Sequence, residues 1–137
     1  MPVLELDDGT RLTQTNAIVR YLGTKYGMAP TDPLLDYHGE SMLIAHEMDH
    51  WGKEQKKLFA TPSDQMAPVY EDIASTFLVP WCDLLASKLK GKWLCGDQLT
   101  WYDVMLCGFF VNIVENPNNK GKASWDKYYP TINDRVK

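Results

Sequence analysis

Residues 1–27, MPVLELDDGTRLTQTNAIVRYLGTKYG, decide the fold, because they begin as a hairpin and continue directly as a helix. Residues 3–6 form a short apolar strand, and residues 11–13 form the returning strand. Between them, Asp8-Gly9 is a dipeptide that readily supplies the positive φ of a tight turn. The order strand, turn, strand therefore predicts an antiparallel hairpin.

A helix is predicted to follow the hairpin. Thr15 is a suitable N-cap, because its hydroxyl can accept a hydrogen bond from an otherwise unpaired backbone amide. Apolar side chains then recur at helical spacing and form one face: Ala17, Ile18, Tyr21 and Leu22. Gly27 fits the position just past the helix, and Pro30 and Pro33 prevent its continuation.

From residue 34 to the end of the chain, the sequence shows helical patterns and no strand pattern. Residues 34–59 form a long helix candidate. In residues 66–85, apolar side chains recur every three or four positions, which is the strongest helical pattern in the chain. Pro80 lies inside this pattern, and we expect it to kink the helix rather than end it.

A second motif occupies residues 96–103, GDQLTWYD. Thr100 can cap a helix while Asp103, three residues later, reaches back to the amide of the cap residue. The motif predicts the start of a helix and has a structural rather than a catalytic role.

These two motifs resemble those of the cytosolic glutathione S-transferases, near the sigma, mu and pi types. In that family a cis-proline opens the third strand, and the residue before it pairs with the cysteinyl part of glutathione. A Gln-Ser pair then begins the third helix and holds the γ-glutamyl carboxylate. Met1-Pro2 matches the first element and Gln14-Thr15 the second, so the resemblance implies that all four residues bind glutathione. The capping motif is similar to the one that opens the family's buried sixth helix.

The resemblance implies an α+β, mostly helical fold, with a partial thioredoxin-like β-hairpin plus helix followed by an all-α C-terminal helical domain. Residues 1–27 would form the C-terminal half of the thioredoxin-like domain, residues 28–33 the linker, and residues 34–137 the helical domain. Glutathione would serve as co-substrate without a further cofactor. The implied partners are a hydrophobic electrophile and a second copy of the chain in a homodimer.

The family reaction conjugates the glutathione thiolate to an electrophile. A Tyr, Ser or Cys in the first strand-to-helix segment stabilises or bonds the sulfur. The sequence starts after that segment, and Tyr21 and Tyr26 lie on the predicted helix, so no catalytic residue is assigned. We expect a truncated transferase, and the alternative is a non-catalytic binding module of the kind found in translation and lens proteins.

Residues 46–50, HEMDH, permit two further hypotheses. The pattern matches the H-E-x-x-H of zinc peptidases, with His46 and His50 on one helix face and Glu71 as a possible third ligand. Asp49 adds a charge inside that pattern and makes a zinc site the weaker hypothesis. In several glutathione S-transferase classes an acidic residue on this helix crosses the dimer interface to the γ-glutamyl amine, and Asp49 matches it, with Glu47 as the alternative.

Composition restricts the classes of partner. The net charge of −4 gives no support to nucleic-acid binding or to attachment to an anionic membrane. Three cysteines without metal-type spacing fit free thiols in a reducing compartment. No targeting leader or membrane-spanning run is predicted, so the expected location is cytoplasmic.

Overall fold

The computed structural model describes residues 2–44, 50–89 and 91–128. Within these ranges the fold is α+β and mostly helical, as predicted, with one two-stranded sheet. Residues 122–128 are also helical. The named strands and helices are β1 (Val3–Glu5), β2 (Arg11–Thr13), α1 (Thr15–Lys25), α2 (Pro33–Gly39), α3 (Gly52–Ala60), α4 (Met66–Ile73), α5 (Val79–Lys88) and α6 (Trp101–Phe109).

The predicted hairpin is present, and β1 pairs antiparallel with β2 so that Leu4 lies opposite Leu12. Its turn is longer than a two-residue turn. The Gly9 N–H donates to the Leu6 carbonyl and the Leu6 N–H to the Thr10 carbonyl, with both N–O distances at 2.9 Å. Gly9 has a φ of 84°. A turn followed by a left-handed glycine gives the twist that joins two antiparallel strands.

Both ends of α1 are defined by backbone geometry. The prediction of Thr15 as N-cap is wrong by one residue, because Gln14 occupies the cap position and Thr15 is the first helical residue. At the other end Gly27 has a φ of 70°, and its N–H donates to the Thr24 carbonyl. The Met28 N–H donates to the Gly23 carbonyl, which completes a Schellman motif and confirms the predicted role of Gly27.

Gly27→Ala is expected to lower the free energy of unfolding by about 1 kcal/mol, because an L side chain disfavours a left-handed φ. The matched control is Gly108→Ala inside α6, where an added Cβ meets no atom within 4 Å. There alanine is expected to raise stability by about 0.5 kcal/mol or more. Urea unfolding of both variants measures the two shifts, and equal signs would contradict the assignment of Gly27 as a left-handed cap.

The helices that follow α1 are called the helical body below. The helical body begins at Pro33, one residue earlier than predicted. Pro33 occupies the first turn of α2, where its missing N–H costs nothing. The Asp32 side chain caps this helix by accepting from the Leu34 N–H at 2.8 Å. The predicted helix over residues 34–59 is helical in both of its described parts, residues 33–44 and 50–60.

We predicted that Pro80 would not end its helix, and the structure confirms this. The chain stays helical from α4 through a π-helical turn, Ala74–Leu78, into α5. Pro80 lies in the first turn of α5, directly after the π turn. Such a turn changes the hydrogen-bond spacing by one residue and lets the helix accommodate the absent N–H.

The core is formed mainly by α4, the π-helical turn after it, α5 and α6, and it is rich in aromatic side chains. Trp81 stacks on Phe77 at 5.6 Å between ring centroids and meets Phe109 edge-on at 5.1 Å. None of the helices in the described ranges has the length and apolar character needed to span a membrane.

The first turn of α6, which is part of the helical body, contacts the C-terminal end of α1. The Trp101 N–H donates to the Met28 carbonyl at 2.9 Å. Gly23 of α1 packs so closely on Trp101 that an added Cβ would lie 2.6 Å from the indole ring. A glycine at position 23 therefore permits α1 to approach α6.

Candidate functional site

The N-terminus of α1 gathers most of the predicted glutathione-binding residues that the structure describes. Val3 pairs with Thr13, so Pro2 and Gln14, the next residues outward, flank the same end of the hairpin. Thr15 follows at the first position of α1, and all three predicted residues are exposed. Met1 and Asp49 lie outside the described residues.

Gln14 has an unusual backbone conformation, with a φ of 71° and a ψ of 115°. It is the one residue other than glycine with a positive φ among the described residues. Such conformations cost about 1–3 kcal/mol each and are concentrated at ligand-binding positions. The conformation turns the chain abruptly from β2 into α1, which places the first amides of the helix at the end of the hairpin.

This helix start can bind an anion. The first backbone hydrogen bond of α1 is donated by Ile18 to the Gln14 carbonyl, so the amides of residues 15–17 have no acceptor within the helix and can bind a ligand. The first turn of α1 contains no acidic residue that would neutralise the positive end of the helix dipole. A carboxylate is therefore a suitable ligand for these amides.

Behind this helix start lies a polar cluster that the sequence analysis did not predict. Arg20 of α1 forms an ion pair with Glu40, the first residue of the π-helical turn that follows α2. The hydroxyl of Tyr102 lies 2.8 Å from Asp36 Oδ1 and 3.2 Å from Glu40 Oε2. Burial raises the pKa of Tyr102, and the two carboxylates raise it further, so the hydroxyl stays protonated and donates.

A cavity with a volume of about 310 Å³ lies in the helical body. Its lining combines three aromatic rings, Trp51, Trp81 and Phe109, with apolar side chains such as Met105 and Ile113. Trp51, which is 7% exposed, also meets Phe109 edge-on at 5.2 Å between ring centroids. The cavity suits a flat apolar molecule.

The zinc hypothesis receives no support from the described residues. His46, Glu47 and Asp49 lie outside them. His50 is exposed and stacks on Phe77 at 6.4 Å. The Glu71 carboxylate pairs with Lys127 at 3.1 Å. Within residues 2–44, 50–89 and 91–128, no group of three or more metal-binding side chains is assembled.

The family model described as Glutathione S-transferase, C-terminal domain, matches residues 49–137. The chain is 30% identical over 122 residues to Glutathione S-transferase 2 of Manduca sexta, covering 80% of this chain and 54% of that protein. It is 26% identical over 148 residues to a glutathione S-transferase of Anopheles gambiae, covering 99% of this chain and 65% of that protein.

A third relative is S-crystallin SL11 of Nototodarus sloanii, 28% identical over 132 residues, covering 86% of this chain and 60% of that protein. The chain therefore spans between about half and two thirds of the length of these relatives. Among solved structures, a glutathione transferase homologue from Sulfitobacter with bound glutathione superposes with a TM-score of 0.60. That match is 21% identical and covers 98% of this chain and 75% of the other, so it shows a shared fold.

Proposed function

We propose that this chain, which belongs to the glutathione S-transferase family, binds glutathione at the N-terminus of α1 and contributes to its conjugation with electrophiles. The observation that carries the proposal is the strained backbone of Gln14, which places the amides of residues 15–17, in the first turn of α1, at the end of the hairpin beside Pro2. The γ-glutamyl carboxylate would accept hydrogen bonds from this turn, with the Thr15 hydroxyl as a further donor. We include Met1 and Asp49 as contributors from the family resemblance.

The proposed domain division follows from the same resemblance. Residues 1–27 would belong to a thioredoxin-like glutathione-binding domain, residues 28–33 would be the linker, and residues 34–137 the helical domain. The aromatic cavity lined by Trp51, Trp81 and Phe109 would hold the hydrophobic electrophile, since its lining is mostly apolar and its volume of about 310 Å³ suits one small ring system. The thiol-activating residue is not assigned within the chain.

We further propose a cytoplasmic homodimer. Leu34 and Tyr37, one helical turn apart on α2, are 72% and 68% exposed. Such apolar side chains are suited to burial against a second copy. Cys82, Cys95 and Cys107 are not joined in disulfide bonds, which is typical of proteins in a reducing compartment.

Thr15→Val is expected to weaken glutathione binding by about tenfold, because it removes a hydroxyl beside the carboxylate site and keeps the branched shape. Isothermal titration calorimetry with reduced glutathione measures the change. Thr24→Val is the matched control, since it makes the same replacement in the last turn of the same helix. Equal affinities for the two variants would contradict binding at the helix start.

Cysteinylglycine, which lacks the γ-glutamyl group, provides a second arm of the same titration. We expect the Thr15→Val variant and the unmodified chain to bind it equally weakly, because the proposed contact is with the missing carboxylate. If the unmodified chain binds cysteinylglycine more tightly than the Thr15→Val variant does, Thr15 contacts another part of the tripeptide.

The second candidate function is a non-catalytic binding module. It is favoured by the match to a relative named as a crystallin rather than as a transferase. A thiol-conjugation assay with a chlorinated nitroaromatic electrophile separates the two candidates. Glutathione binding with turnover supports the transferase, and glutathione binding without turnover supports the binding module.

A further inference from the structure

The Tyr102 ring is fully buried and is matched to a glycine on the neighbouring helix. Tyr102 has 0% of its surface exposed. Gly39, at the end of α2, lies against this ring, and a Cβ at that position would overlap the ring carbons. The absence of a side chain at position 39 therefore creates the space in which the ring lies, and it lets the hydroxyl reach Asp36 of α2 and Glu40, the residue that follows α2.

The Tyr102 hydroxyl links three helices. It donates to Asp36 Oδ1 at 2.8 Å and lies 3.2 Å from Glu40 Oε2. Its oxygen lies 3.5 Å from a guanidinium nitrogen of Arg20 on α1. Arg20 also pairs with Glu40, and its guanidinium lies 5.6 Å from the Trp101 ring centroid. One hydroxyl on α6 thus organises the residues that hold the side chain of Arg20.

Polar contacts matter here because the packing beside them is open. A cavity of about 220 Å³ lies along the first turns of α1, and its lining includes Asn16, Arg20, Glu40 and Trp101. The side of α1 that faces the helical body near its N-terminus is therefore not held by close apolar contacts alone. Arg20 lies five residues after Thr15, about 7.5 Å along the helix axis.

We propose that Tyr102 is a positioning residue whose hydroxyl, acting through Asp36, Glu40 and Arg20, holds the first turns of α1 in place for glutathione. The expected effect of Tyr102 on glutathione binding rests on the proposed function, whereas its expected effect on the order of α1 does not. Without the hydroxyl, the carboxylates of Asp36 and Glu40 can adopt other conformations. The side chain of Arg20, which pairs with Glu40, then moves as well. The amides at the start of α1 then lose their fixed direction.

Tyr102→Phe tests this proposal, since it removes the hydroxyl and keeps the buried ring. Tyr70→Phe is the matched control, because Tyr70 is also buried, at 8% exposed, and packs edge-on against Trp125 away from α1. Hydrogen exchange of the amides of residues 18–22, which are hydrogen-bonded within α1, and calorimetry with reduced glutathione are measured on the full chain. In Tyr102→Phe we expect exchange in this segment to accelerate threefold to about tenfold, the range that one lost hydrogen bond produces.

Glutathione affinity is expected to fall by a similar factor in Tyr102→Phe and to stay unchanged in Tyr70→Phe. Arg20→Gln, an exposed change that leaves the core intact, should reproduce both effects, and adding Tyr102→Phe to it should cause little further change. Faster exchange spread evenly over the chain, or full additivity of the two changes, would overturn the proposal. If the unmodified chain does not bind glutathione, the proposed function fails, while the exchange measurements still decide whether Tyr102 positions α1.

Discussion

Trp81→Ala is expected to lower the free energy of unfolding by about 4 kcal/mol. Trp81 is 2% exposed, lies between Phe77 and Phe109, and donates its indole N–H to the Met42 carbonyl at 3.1 Å. Alanine removes the ring contacts, opens a cavity in the core, and leaves the carbonyl without its indole donor. Urea denaturation followed by circular dichroism measures the loss.

Two controls separate these contributions. Trp81→Phe keeps an aromatic ring but removes the N–H, and we expect a loss of about 1–2 kcal/mol. Trp93→Ala makes the same truncation at a half-buried position, and we expect about 1 kcal/mol. A loss at Trp81 no larger than the loss at Trp93 would contradict the central place of Trp81 in the core.

The second large effect is expected at Asp103, because its carboxylate joins two segments of backbone. One oxygen accepts from the Thr100 N–H at 2.8 Å and from the Thr100 hydroxyl at 2.7 Å. The other accepts from the Leu94 N–H at 2.8 Å and ties the loop before α6 to the helix. Asp103→Ala leaves partly buried donors without an acceptor, so we expect a loss of about 3 kcal/mol in the free energy of unfolding.

Asp103→Asn keeps one acceptor oxygen, so its expected loss lies between those of alanine and the unmodified chain. Asp97→Ala is the matched control, because its carboxylate makes one long contact, 3.5 Å, with the exposed Lys92 amide. That variant should change stability by less than about 0.5 kcal/mol. If Asp103→Asn is as stable as the unmodified chain, the two carboxylate oxygens of Asp103 do not both stabilise the fold.

Features set by neighbouring residues could be predicted from the sequence. The hairpin at Gly9, the helix end at Gly27 and the capping box of Thr100 and Asp103 each depend on a few adjacent positions, and the structure contains all of them. The family resemblance was predicted from the same short motifs and is confirmed by the family match. The local sequence is sufficient to predict these features because the residues that determine each of them lie only a few positions apart.

Features that depend on distant contacts could not be predicted. Tyr102 and Asp36 are separated by 66 positions, and neither pattern nor propensity indicates that they meet. The strained backbone of Gln14 could not be predicted either, since the same residues also fit an ordinary N-cap at Thr15. The tertiary requirement to turn from β2 into α1 prevailed over the local capping preference.

The two glycines that face the start of α6 restrict how this sequence can change. Trp101 and Tyr102 are adjacent, with ring centroids 3.9 Å apart, and each lies against a glycine of a different helix, Gly23 or Gly39. Enlarging either glycine requires a smaller ring opposite, so the positions should be inherited as pairs. Among descendants and ancestors of this chain, a bulky residue at position 39 is expected to accompany a small one at position 102.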